Sequence, residues 1–315
     1  MAFTSIHGRR LGMTQSQLLF DSRPVNDRFA SRGKTIYVDS AKDAASGINP
    51  DEAVGTLDEA FALCTANQGD TIVVMPNHAE TVTGAGGITH DVAGVSVIGL
   101  GRGNQRPRFL MDGGTTVTYV VSAADAYVEN LVFASGHADV VTCFNVTGLN
   151  AAFNGIEFED NTTDENWLSC FKATGAANTA NGLTIENCRY VTPDAGATDF
   201  LSLVDDINKL TFRGNFYCAD AATGAGMILC ATGKDILGLA CERNVFICGN
   251  TAGDLFIDND TAVNTGYAAY NLIGHHDTAS AILFDCDGIR LFENYSTAAD
   301  DASGVILPAI DVDGS

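Results

Sequence analysis

Positive charge is scarce in this 315-residue chain: 17 lysines and arginines stand against 39 aspartates and glutamates, a formal net charge of −22. An acidic body of that size repels nucleic-acid phosphates and anionic membranes, so neither is expected as a partner. Long hydrophobic runs are missing too, and nothing approaches the ~20 apolar residues of a membrane-crossing helix. Arg9–Arg10 lie among polar residues with no apolar stretch behind them, so residues 1–13 do not read as a secretory leader. Cysteine is present in nine places, but no two are spaced as Cys-x-x-Cys. That odd, scattered set excludes the paired-thiol motifs of zinc and redox sites and reads as small buried side chains in a protein made in a reducing compartment. Charged residues make up only 18% of the chain and prolines number 6, whereas glycines number 33, a composition that favours strands and turns over helices.

What is present is a repeat. Gly182-Leu183-Thr184-Ile185-Glu186-Asn187 matches Lys209-Leu210-Thr211-Phe212-Arg213-Gly214-Asn215 and Gly238-Leu239-Ala240-Cys241-Glu242-Arg243-Asn244, with one extra residue before Asn in the longer copies. Further copies end at Asn130, Asn161, Asn271 and Asn294, and Gly94-Val95-Ser96-Val97-Ile98-Gly99 reads as the first. The spacing averages roughly 27 residues, a period that marks stacked solenoid coils. Within each copy the apolar residues sit two apart, as in a strand with one face buried. The Asn or Gly that follows suits a left-handed corner. The expected fold is all-β: a single-stranded right-handed parallel β-helix of about eight coils, on the order of 40 Å long at ~4.8 Å per coil. Asn130, Asn161, Asn187, Asn215, Asn244, Asn271 and Asn294 are expected to form a structural ladder along one corner.

A solenoid needs a cap on its open end. Thr56-Leu57-Asp58-Glu59 is a capping box opening an amphipathic helix over about 57–66, with Leu57, Ala60, Phe61 and Cys64 on one face. It leads into Gly69-Asp70-Thr71-Ile72-Val73-Val74-Met75-Pro76. On this helix, this Gly-Asp-Thr-Ile-Val-Val run and the proline after it, the chain over about 35–300 resembles the pectin-lyase-like β-helix superfamily. The resemblance implies the fold; that fold hosts lyases, hydrolases and purely structural proteins. The expected division is a basic arm over 1–34 and a β-helix domain over 35–315, with coils over about 70–300 and a terminal cap or tail over about 301–315.

Chemistry is harder to find along the coils. Lyases of the superfamily hold Ca²⁺ on clustered carboxylates beside a basic residue. Here Arg106-Pro107-Arg108 only superficially resembles a basic lyase element, and the family's Trp-Ile-Asp-His motif is missing. Glu157 with Asp205 or Asp206 is a conceivable glycosidase pair. His275–His276 near Asp258 or Asp277 lacks further ligands for a metal. Most acidic groups fall in turns, where solvated side chains are the ordinary expectation. No catalytic residue, metal site or cofactor is therefore expected; any activity would be that of a polysaccharide lyase or glycoside hydrolase.

The arm carries the functional clue. Residues 1–34 hold Arg9, Arg10, Arg23, Arg28, Arg32 and Lys34 against only Asp21 and Asp27. Ile6-His7-Gly8-Arg9-Arg10-Leu11-Gly12-Met13, followed by Thr14-Gln15-Ser16-Gln17, is similar to the N-terminal segments of tailed-bacteriophage virion proteins. That resemblance implies a non-enzymatic virion protein, assembled in the host cytoplasm, which decorates or cements the head. Arg9, Arg10, Arg23, Arg28 and Arg32 would dock on the major capsid protein or another virion protein. It also implies a homotrimer, with Tyr119, Tyr127, Tyr190 and Tyr217 as candidate subunit contacts. The alternative is a small tail spike that binds or cleaves host polysaccharide.

Overall fold

A computed structural model describes residues 33–306 except 43, 45, 85, 163, 176–178, 194–195, 220–225, 249–254, 260–262, 276–283 and 297–303. Arg9, Arg10, Arg23, Arg28 and Arg32 lie outside the described residues, as do His276, Asp277 and residues 307–315. The described chain is a right-handed parallel β-helix built on three sheets, visited in turn. Sheet A runs from Thr35–Val38 through Thr71–Val74 to Ile289–Phe292, sheet B from Ala79–Val82 to Gly304–Ile306, and sheet C from Ile88–His90 to Phe284–Cys286. Sheet C has eight strands, one from each coil that visits all three sheets. Among the described residues every ladder pairing is parallel until Gly304–Ile306, which turns back antiparallel along Asn294–Ser296 and covers the last strand of sheet B.

Register is set by stacking like on like inside the prism. Phe153, Ile185, Phe212, Cys241, Ala268 and Leu291 pair in succession down sheet A, all buried. A one-residue slip of any coil would send its whole apolar set into water. Aromatic rings carry the same order through the middle: Phe109 stacks on Phe133 at 5.2 Å, Phe144 on Phe171 at 5.2 Å, and Tyr190 on Tyr217 at 5.8 Å. Such pairs contribute ~0.5–1.5 kcal/mol each beyond the area they bury.

Tyr119, Tyr190 and Tyr217 are therefore core residues and not subunit contacts, each with no exposed surface. Period-two alternation says that one face is buried but not which one until a neighbouring coil fixes the phase. The Tyr190 hydroxyl donates to Asp160 at 2.7 Å and accepts from the backbone N–H of Trp167 at 3.1 Å, which offsets the cost of burying it. Tyr127 points outward and donates to Glu129 at 2.8 Å.

Helix α1 (Leu57–Leu63) closes the N-terminal end, packing Leu57, Ala60 and Phe61 onto the first coil. Both halves of the capping box at Thr56 and Glu59 form. The helix stops earlier than the apolar spacing suggests because Asp70 intercepts it. This buried carboxylate accepts from the N–H of Thr65 at 2.7 Å and from the N–H of Lys34 at 2.6 Å, tying the helix exit and the incoming chain to the first buried strand. Any Cβ at Gly33 would lie 2.3 Å from that carboxylate, so the contact needs glycine.

Candidate functional site

The sharp corner between sheets A and B organises the polar side chains. In successive coils one residue there adopts a left-handed backbone: Asn130 (φ 59°), Gly155 (65°), Asn187 (54°), Gly214 (64°), Arg243 (55°), Tyr270 (59°) and Glu293 (45°). The residue after it turns inward, and in the last four coils this is Asn215, Asn244, Asn271 and Asn294. Asn244 shows the pattern. Its backbone N–H and its Nδ2 both donate to Oδ1 of Asn271 at 2.9 Å, its Nδ2 also reaches the Phe212 carbonyl at 3.0 Å, and its own Oδ1 accepts the backbone N–H of Asn215 at 2.9 Å.

The seven asparagines expected in one ladder thus occupy three kinds of position. Asn130 and Asn187 sit one residue earlier, on the left-handed corner itself, where Asn130 donates to the carbonyls of Gly99 and Gly101, and Asn187 donates to Asn154. Asn161 lies one strand further on, after Glu157–Asp160 of sheet B, exposed and bonded to Glu165 at 3.0 Å. The cause is the variable coil length. A glycine followed by alternating apolar residues precedes strands of both sheets, and Gly155-Ile156 is the corner that leads into the sheet B strand.

The outer face of sheet B carries a charged cluster. Arg106, only 13% exposed, reaches across a whole coil to donate to Glu157 at 2.6 Å, with the Leu131 carbonyl at 3.0 Å and the Gly155 carbonyl taking its other amino group. Arg108 crosses the same coil to Glu159 at 3.1 Å. Val132 and Ala134 lie between these two charged strands in register and are buried although they point outward. On the next coil Arg189 stands 3.7 Å from Glu157 and 5.5 Å above the Phe216 ring. Glu157, Glu159, Asn161, Arg189 and Val191 line an open groove of about 430 Å³.

Sheet A has a comparable outer row. Glu129, Asn154, Glu186, Arg213 and Glu242 stack in register. Arg213 bridges Glu186 at 3.2 Å and Glu242 at 3.1 Å. The Tyr267 hydroxyl, together with Arg213, holds the Glu242 carboxyl below its ordinary range.

Glu157 and Asp205–Asp206 are not brought together. Glu157 lies on sheet B, whereas the aspartates follow Asp199–Leu203 of sheet C in the turn back to sheet A. Asp205 pairs with Lys234 at 2.9 Å, and Asp206 accepts the N–H of Asp235 at 3.0 Å. His275 ends the sheet B strand Leu272–His275. Among the described residues no three His, Cys, Asp or Glu side chains cluster as a metal would require. Cys64, Cys143, Cys170, Cys188, Cys218, Cys230, Cys241 and Cys286 are free thiols, and all of them but Cys64 and Cys218 are buried. Arg189 and Arg213 went unnoticed in the sequence. The signal for both is an opposite charge about one repeat away: Glu157 precedes Arg189, Glu186 precedes Arg213, and Arg213 precedes Glu242.

No family model matches the sequence, and no curated protein matches it. Among solved structures the fold is similar to a rhamnogalacturonan lyase, with a TM-score of 0.60 and 14% identity over 86% of this chain and 75% of that one. At that identity the likeness is one of fold.

Proposed function

We propose that the chain is a non-enzymatic structural protein of a virion, which decorates or cements a phage head. The basic arm, through Arg9, Arg10, Arg23, Arg28 and Arg32, docks on the major capsid protein, and the β-helix stands as a rigid body on the shell. The observation that carries this reading is the position of Glu157, held between Arg106 and Arg189. A carboxylate that must donate or take a proton during polysaccharide cleavage is instead spent on joining coils. Glu159, Glu186, Glu242 and Asp205 are spent in the same way. The test is abundance on the source particle. A shell protein is present in hundreds of copies, lost from particles when residues 1–34 are deleted; a copy number near a dozen contradicts it.

A second reading is favoured by the groove beside Arg189 and by the similarity to a rhamnogalacturonan lyase. In this reading the chain is a tail spike that binds or cleaves host polysaccharide. Binding of a polysaccharide, lost on Arg189→Ala, would support it over the shell assignment.

A further inference from the structure

Ten large apolar side chains are strongly exposed among the described residues, and six of them gather in one place. These are Val191, Ile247, Tyr270, Leu272, Phe292 and Tyr295, between 37% and 50% exposed, on the outer face of sheet B and the adjoining corner of the last coils. Register makes them contiguous. Phe216, Val245, Leu272 and Tyr295 form one column, and Val191, Cys218, Ile247 and Gly274 form the next. None of these eight residues is charged, in a chain whose net charge is −22. Tyr270 and Phe292 extend the patch around the corner, where the N–H of Tyr270 donates to the Phe292 carbonyl.

We infer that this face joins two copies of the chain about a two-fold axis through Tyr270. Three observations select that occupant. First, the two columns offer a basic partner no counter-charge, while two acidic bodies meet with least repulsion at an uncharged face. Secondly, three aromatic side chains of ~150–250 Å² each and three smaller aliphatic ones, at this exposure, offer together on the order of 500 Å². With partly exposed Phe216, Val245 and Cys218 this reaches about 600 Å², the lower end of what each partner of a stable pair buries. Thirdly, Arg243, Tyr270 and Glu293 occupy the left-handed corner on successive coils, all exposed. A two-fold axis at the middle residue sets Arg243 of each copy opposite Glu293 of the other. An interface of this kind is self-complementary. The corner thus fits a pair, in place of the trimer that the phage resemblance implies, and it does so whether or not the chain belongs to a shell.

The full chain, Leu272→Glu, Arg243→Glu and the double variant Arg243→Glu with Glu293→Arg are compared by sedimentation velocity at micromolar concentration. Far-ultraviolet circular dichroism confirms that each variant keeps the wild-type fold; all three positions are at the surface. The expected result is a wild-type mass of two copies, at least a tenfold weaker association for each single variant, and recovery in the double charge exchange. A wild-type mass of one copy or of three overturns the inference. So does a pair that survives Leu272→Glu, or a charge exchange that fails to restore what Arg243→Glu removed.

Discussion

Arg106 and Glu157 meet at 2.6 Å although a full coil of the solenoid separates their strands. The guanidinium bonds the Leu131 carbonyl of the intervening coil on the way, so one side chain links three coils. Arginine suits this task because its planar fork can donate to two carbonyls and a carboxylate together. Breaking such a half-buried pair leaves Glu157 without its cation. Arg106→Ala is expected to cost about 2–3 kcal/mol, below the ~3–5 kcal/mol of a fully buried pair because Glu157 is partly solvated. Glu157→Gln, which keeps an acceptor, should cost about 1 kcal/mol. Urea denaturation midpoints check both, and equal losses would mean that the ion pair is incidental.

Asn244 and Asn161 make a second comparison. Removing the Asn244 amide takes the acceptor from both the backbone N–H and the Nδ2 of buried Asn215, at ~1–3 kcal/mol for each unsatisfied group. Asn244→Ala should therefore lose about 3 kcal/mol, and exposed Asn161→Ala no more than about 0.5 kcal/mol. Equal thermal shifts for the two would remove the ladder from the account.

His90 predicts a pH dependence. It lies beneath the capping helix, its ring 4.5 Å from Phe61 and its Nδ1 3.4 Å from the Tyr119 hydroxyl, and burial pushes its pKa down from 6.5 to about 3. Below pH 6.5 the unfolded chain takes up a proton that the folded chain refuses, so stability falls as pH drops from about 6.5 towards 3. At ~1.4 kcal/mol per unit the full effect is roughly 4–5 kcal/mol. Carboxylates also titrate in this window, so the measurement is the difference in pH slope between wild type and His90→Leu. Parallel slopes would show that the imidazole is not held neutral by burial.

Lys209 carries backbone strain that its neighbours avoid. At the corner leading into sheet A it has φ 62°, where the adjacent coils place Gly182 (77°) and Gly238 (79°). Left-handed backbone costs a residue with Cβ ~1–2 kcal/mol, partly offset by the entropy glycine loses on folding. Lys209→Gly should raise stability by about 0.5–1 kcal/mol in calorimetry. A loss of stability would mean that the lysine side chain holds the corner.

The solenoid was legible because its signals repeat: apolar residues two apart, a turn residue after them, and the same unit again one coil later. Helix α1 was legible through its capping box, but its end was not, because Asp70 stops it from outside the helical segment. The repeat alone puts Asn161 at the wrong corner, because coils of unequal length hide the phase between sheets A and B. The charged cluster was largely invisible. Arg106 and Glu157 are 51 residues apart, nearly two repeats, and only a fixed register reveals that a single coil lies between them.

The proposal that the outward carboxylates serve to join coils and turn over no substrate is tested most directly by incubation of the full chain with rhamnogalacturonan and a panel of acidic and neutral polysaccharides. Reducing ends and the ultraviolet absorbance of unsaturated uronate ends are followed over time. The account predicts neither above the protein-free control. Release of either product, abolished by Glu157→Gln in a variant that remains folded, would contradict it.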